Sequence, residues 1–259
     1  MSDYHFPTLT ACVIFHNEWV EVEECIVSFK RYYPNETVIL ARDTLPPIIP
    51  NEFEKYKCEI IPKNNAMNYL IVLNSLGKST NELNLQQRLH IINLQIKKLS
   101  SISKKCNTEF VLFLEYDSLV RRKIPVYSDT DIEILEVNKF TNFFLKKTNR
   151  VSTRPVNFSG WGFVTGTIRV QALKNAILWY QNNQTIISQI TQIESQMVVL
   201  DFLLPVLVHL SGGKVKSHNL TIECSRDKLW RLRKAPLLHQ YRGKHRNFRS
   251  CIRRSLIRG

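Results

Sequence analysis

The strongest constraint in this sequence is a run with no polar face. Glu109 to Leu114 (EFVLFL) is apolar at every position after the first. A strand with water on one side alternates apolar and polar residues, so a run apolar on both faces belongs to a sheet covered by helices on both sides. Leu9 to Phe15 (LTACVIF) and Glu36 to Ala41 (ETVILA) have the same character, and Cys58 to Ile61 reads as a further, short strand.

The segments between these runs have a different period. After the first strand, Val20, Cys25, Ile26 and Phe29 fall on one helical face, Asn17 stands where a cap belongs, and Pro34-Asn35 ends the helix. Pro46, Pro47 and Pro50 then make a stiff loop. From Leu83 to Ile102 the residues Leu85, Leu89, Ile92, Ile96 and Leu99 recur every three or four positions, with Gln86, Lys97 and Lys98 on the other side. Strand, helix, strand, helix and strand in this order predict a doubly wound α/β sheet.

The second half is less regular. Phe140 to Lys147 reads as a helix, Arg154 to Gly166 as a loop with three glycines, and Ile168 to Tyr180 as an amphipathic helix. Ser195 to Leu210 reads as a buried helix containing Asp201 and ended by Gly212-Gly213, with a short strand over Lys214 to Ser217. No internal repeat or low-complexity stretch appears.

At 259 residues and 44% hydrophobic content, one α/β domain with a tail is expected. The boundaries read as one α/β domain over 1–225, with a regular half to about 120 and a less regular half from 121, followed by a basic tail over 226–259. Between Arg226 and Gly259 stand twelve Lys or Arg and one acid, Asp227, so the tail holds eleven of the fourteen net positive charges. Such a polycation can meet nucleic acid, anionic lipid or a phosphorylated substrate.

Met1 to Pro7 shows no basic stretch leading into an apolar core, and Val198 to Leu210 is interrupted by Asp201, Pro205 and His209. The expectation is a soluble, cytoplasmic chain without signal or span. Six scattered cysteines with no C-x-x-C pair read as reduced thiols, Cys12 and Cys25 being small buried hydrophobes. The four N-x-S/T sequons, at Asn35, Asn157, Asn183 and Asn219, are then unused.

Ligands of open α/β sheets bind at the carboxyl ends of the strands, so the residues just after each strand carry the chemistry. Here these are His16-Asn17-Glu18, Arg42-Asp43 and Glu115-Tyr116-Asp117. Strand alternation points Glu115 and Asp117 the same way, and two such carboxylates repel unless a cation joins them. Hard cations such as Mn²⁺ or Mg²⁺ take oxygen ligands shared with substrate phosphates. A solvated turn explains the same triplet without a metal.

With VIFHNE, VILARD and FVLFLEYD in this order over some 120 residues, the chain resembles the GT-A glycosyltransferases. The resemblance implies a Rossmann-like, mixed but mostly parallel sheet flanked by helices. It also implies an enzyme that moves a hexosyl or pentosyl group from a nucleoside-diphosphate-sugar donor to a glycan or other hydroxyl acceptor. By the same resemblance Asn17, Glu18, Arg42 and Asp43 lie near the nucleotide, and Gly160, Trp161 and Gly162 form a loop whose backbone approaches the donor sugar. Asp117, Glu115 and His239 of LLHQY would hold Mn²⁺ or Mg²⁺. Asp201 is the candidate general base, with Glu194, seven residues earlier, as its rival. The family's adjacent Glu-Asp pair is missing at that point, which leaves retention or inversion open.

Other motifs fail on spacing. Gly77-Lys78-Ser79-Thr80 lacks the first P-loop glycine, since Val72 stands there. The alternative from another class is a binding protein acting through its tail, where Trp230, Tyr241 and Phe248 interleave with the basic residues as stacking groups for nucleic acid.

Overall fold

The computed structural model of the protein describes residues 4–15, 19–42, 51–61, 79–135, 165–218, 221–223 and 235–239. Of Tyr4, Arg42, Asn51, Glu52, Leu135, Ser217, His218, Thr221, Ile222, Glu223 and His239 it describes the backbone alone. The first half contains β1 (Tyr4–His5), β2 (Leu9–Phe15), α1 (Trp19–Lys30), β3 (Val38–Arg42), β4 (Glu59–Ile61), α2 (Leu85–Lys105) and β5 (Phe110–Glu115). After these come β6 (Leu119–Val120), β7 (Val126–Tyr127), β8 (Ile132–Leu135), β9 (Gly166–Arg169), α3 (Val170–Asn182), α4 (Gln184–Ile193), α5 (Leu200–Leu210), β10 (Val215–His218), β11 (Thr221–Glu223) and β12 (Leu237–His239).

Seven strands form the main sheet in the order β10-β8-β9-β5-β2-β3-β4. All its pairings are parallel except those of β9, which runs against both β5 and β8. This is the mixed, mostly parallel sheet flanked by helices that the sequence predicts. Alternation along the strands sorts their side chains to two cores. Cys12, Ile39, Val111, Phe113, Ile132 and Ile168 pack with α2, α3 and α5. Ala11, Val13, Phe15, Leu40, Leu112 and Leu114 pack with Val22, Cys25, Ile26 and Phe29 of α1. Each face of β5 is therefore covered, as EFVLFL requires.

Local signals fix the ends of two helices. Asn84 accepts from the backbone N–H of Gln87 at 2.9 Å while the Gln87 side chain accepts from the N–H of Asn84 at 3.0 Å, a reciprocal capping box that starts α2. At the end of α5, Gly213 N–H donates to the Val208 carbonyl at 2.8 Å and Gly212 N–H to that of His209 at 3.1 Å. With Gly212 at φ 100°, this is a Schellman ending, which needs a residue without a Cβ in the left-handed region.

Three departures from the sequence reading have physical causes. Ile168 and Arg169, expected in a helix, belong to β9, because pairing between β5 and β8 leaves Ile168 fully buried; packing outweighs local period there. The expected helix from Ser195 is split into a 3-10 turn over Ser195–Val198 and α5, since Val199 is extended (φ −90°, ψ 127°) and turns Met197 and Val198 into the core. Finally, Leu237–His239 from the basic segment forms a strand, parallel to β11 and antiparallel to β6, with Ala235, Leu237 and Leu238 buried. The helix expected over Phe140 to Lys147 lies outside the described residues.

Candidate active site at the switch point of the sheet

The order β4-β3-β2-β5 places the first and fourth parallel strands side by side, with α1 leaving one face and α2 arriving on the other. At such a reversal the connections diverge to opposite faces and open a crevice beyond the carboxyl ends of the two strands. The carboxyl ends of these two strands are Phe15 and Glu115, with Ile14 and Glu115 paired in register. The triplet singled out in the sequence therefore stands at the one place in the parallel half where topology makes room for a ligand.

Glu115 is the last residue of β5. Tyr116 N–H still donates to the Ile14 carbonyl at 3.1 Å, and Ser118 N–H then donates to the Glu115 carbonyl at 2.9 Å, closing a turn over Tyr116 and Asp117. Strand alternation thus stops at Glu115 and does not make the two carboxylates parallel. It puts Glu115 on the face of α2, α3 and α5, and Asp117 follows in the turn, near enough to Cys25 of α1 for its charge to act on that thiol. Burial pushes the Cys25 thiol well above its usual range, and the charge of Asp117 pushes it the same way. Asp117 is 8% exposed, which makes it a carboxylate largely withdrawn from water.

The C-terminal strand reaches the same turn. In the antiparallel register of β12 with β6, Leu237 faces Val120 and Leu238 faces Leu119. The next position in that register sets the backbone of His239 opposite Ser118, the neighbour of Asp117. Some 120 residues of sequence separate these two segments, and no local signal links them. From the other side, the Ser118 and Thr165 hydroxyls lie 3.3 Å apart in a buried contact. Thr165 lies in the segment from Arg154 to Gly166 that the sequence reads as a glycine-containing loop, and is the first of its residues to be described.

The start of α5 lies at the same end of the sheet. α2 leads into the amino end of β5, so the beginning of α2 stands at the carboxyl end. There Gln196 Nε2 donates to Thr80 Oγ1 at 3.4 Å, Ser195 Oγ donates to Asn81, and Arg88 Nη1 donates to the Thr191 carbonyl at 3.1 Å. Helix α5 then returns toward the amino end, where Lys214 N–H donates to Asp131 at 2.9 Å, just before β8. Asp201 is half-buried in the first turn of α5. Pro205, four residues on, has no N–H to give to the Asp201 carbonyl. Glu194 is 7% exposed and spends Oε1 on the Gln196 N–H at 3.1 Å, as the cap of the 3-10 turn.

Of the remaining residues named from sequence, Asn17, Glu18, Asp43, Gly160, Trp161 and Gly162 lie outside the described residues. Arg42 ends β3 at the carboxyl edge, paired in register with Phe15. Among the described residues no group of three His, Cys, Asp or Glu side chains forms a metal site, and no helix is long and apolar enough to cross a membrane. Sequence reasoning passed over Ser28 and Thr165, whose hydroxyls hold the neighbourhood of the triplet; a lone Ser or Thr carries no spacing signal.

The class defined by this architecture is an α/β chain with a carboxylate-bearing strand end at the reversal of its strand order. In structure it is similar over 83% of its length to the mannosyltransferase PcManGT from Pyrobaculum calidifontis in complex with GDP-Man and Mn²⁺, at 9% identity and a TM-score of 0.43. It is similar over 82% to TarS of S. aureus, at 11% identity and 0.41, and over 89% to the galactosyltransferase LgtC in complex with donor and acceptor sugar analogs, at 13% identity and 0.49. The chain spans 55% of PcManGT, 35% of TarS and 86% of LgtC. No protein-family model matches the chain, and a comparison with curated proteins found no match in sequence.

Proposed function

We propose that this protein is a metal-dependent glycosyltransferase that moves a sugar from a nucleoside-diphosphate donor to a hydroxyl acceptor. The observation that carries the reading is the Tyr116-Asp117 turn at the switch point, with the backbone of His239 brought alongside by β12. A binding surface made of tail charges has no need of a withdrawn carboxylate in that crevice.

The residues fit a hard divalent cation. Asp117 offers carboxylate oxygens in a setting poor in water, and by the sequence resemblance Glu115 and His239 are the candidates for a further oxygen and an imidazole donor. Held there, Mn²⁺ or Mg²⁺ would supply positive charge against that developing on the departing diphosphate. The other roles belong to the chain itself. Arg42, Asn17, Glu18 and Asp43, at or just beyond the ends of β2 and β3, line the nucleotide side. Gly160, Trp161 and Gly162 let the donor sugar approach backbone. Asp201 takes the proton of the acceptor hydroxyl, and its place in the first turn of α5, half-buried at the crevice end, suits that role. Glu194 is assigned to the cap. The basic segment supplies further positive charge toward the leaving phosphate, with Arg231, Arg233 and Lys244 as candidates.

The test is a panel of nucleoside-diphosphate sugars, each scored for Mn²⁺-dependent hydrolysis and for thermal stabilisation of the protein. One donor is expected to raise the melting temperature in the presence of Mn²⁺ and to be hydrolysed slowly without acceptor. Indifference to every donor, with tight salt-sensitive binding of nucleic acid instead, sinks the transferase reading in favour of the basic-tail one.

A further inference from the structure

The turn that carries Asp117 is short; Ser118 N–H to the Glu115 carbonyl closes it, and Tyr116 N–H to the Ile14 carbonyl ties its start to β2. Its two stems are also held from α1. Cys25 and Ser28, three residues apart, lie on one face of that helix and are both 0% exposed. Cys25 Sγ lies 3.9 Å from the Glu115 carbonyl, just before the turn. Ser28 Oγ donates to the Cys25 carbonyl at 2.7 Å and accepts from Val120 N–H at 3.0 Å, just after it. One helical turn thus grips both stems of the Asp117 loop. On the far side of β6, Arg121 N–H donates to the Pro236 carbonyl at 2.8 Å, so helix and C-terminal strand hold this segment between them.

We propose that Ser28 is a positioning residue for Asp117. Its hydroxyl, bonded to α1 on one side and to Val120 on the other, sets the height of the turn and with it the place of the carboxylate in the crevice. This rests on the metal-binding reading of Asp117 given above. The Ser28 hydroxyl meets its own helix in the local pattern common for serine, which leaves its oxygen free to accept the Val120 N–H. Without it that amide is buried with no acceptor, and the stem is expected to move toward one. Residues that orient a metal ligand from behind typically influence metal affinity about 10- to 100-fold.

A second bond from the same helix end supplies the control. Tyr33, 5% exposed, accepts from Ile124 N–H at 2.7 Å, four residues beyond Val120 and outside the turn. Ser28→Ala and Tyr33→Phe each strip a buried backbone N–H of its acceptor, but only the first touches a stem of the Asp117 loop. The measurement is titration of the full chain with Mn²⁺ alone, followed by the loss of the free-ion electron paramagnetic resonance signal, beside urea unfolding of each variant. Ser28→Ala is expected to weaken Mn²⁺ binding about 10-fold, Ser28→Thr to restore it to within about threefold, and Tyr33→Phe to lose stability while binding Mn²⁺ as the wild type does. Should Ser28→Ala not fold, Ser28→Cys, close in volume and a weak acceptor, is expected to show the same loss. Equal Mn²⁺ affinity in the wild type and the folded Ser28 variant overturns the inference alone, as does an equal loss in Tyr33→Phe. No Mn²⁺ binding by the wild type overturns the metal reading and the inference together.

Discussion

Glu133 makes the fold sensitive to pH, and the size of the effect follows from its surroundings. It sits on β8 with 1% of its surface exposed, its Oε1 accepting from the Tyr127 N–H at 3.0 Å. Burial pushes its carboxyl up from 4.5 to about 7, against the pull of the Tyr127 N–H and of the Lys216 charge, which lies over the Tyr127 ring. Below pH 4.5 the folded and unfolded chains both carry the proton, and Glu133 leaves their balance alone. Between 4.5 and about 7 the unfolded chain releases the proton while the folded one keeps it, so stability falls as pH rises; above 7 both are ionised and the loss stays constant. At about 1.4 kcal/mol per pH unit, that window amounts to about 3 kcal/mol. Glu133→Gln keeps an acceptor for Tyr127 and removes the charge. Urea unfolding of both proteins from pH 4.5 to 8 is expected to show equal stability at the acid end and a variant about 3 kcal/mol more stable at pH 8, or about 6–12 °C in melting temperature. Groups that titrate in both proteins cancel in the difference. Curves that run parallel across the whole range would refute the reasoning.

The end of α5 allows no side chain at its second glycine. A Cβ on Gly213 would stand 2.6 Å from Val208 Cγ1 and 2.9 Å from the Val208 carbonyl oxygen, which the helix holds in place, so Gly213→Ala is expected to lose about 1–3 kcal/mol in urea unfolding. At Gly212 the positive φ alone costs an alanine about 1–2 kcal/mol. Asp117→Asn is expected to abolish Mn²⁺-dependent donor hydrolysis with an unchanged circular dichroism spectrum, and retained turnover would remove Asp117 from the site. Asp201→Asn is expected to lower kcat by about 10²–10⁴ while leaving KM for the donor near wild type, measured by steady-state kinetics. Glu194→Ala, by contrast, loses a cap worth about 0.5–2 kcal/mol and leaves kcat within about twofold; a large fall in kcat there would exchange the two roles.

The sequence by itself determined the covered parallel sheet and the strand ends that bear polar groups. Both are local properties: EFVLFL is apolar on two faces wherever it lies, Asn84 and Gln87 cap α2 through their own neighbours, and Gly212-Gly213 ends α5 through bonds within six residues. The tertiary structure decided the rest. Ile168 and Arg169 are in a strand because β5 and β8 stand on either side of them, a fact absent from their own neighbourhood. β6 and β12 are too short for any period to announce, and they pair across more than a hundred residues where Val120 and Leu237 are buried in the core shared with α1 and the main sheet. The site follows the same division. Glu115-Tyr116-Asp117 is legible because it ends a legible strand. That it stands at the reversal of the strand order, that the turn brings Asp117 near Cys25 of α1, and that the backbone of His239 arrives on the same side all depend on strand order and register. Those are set by which apolar faces bury one another, and a linear sequence does not state its own contacts.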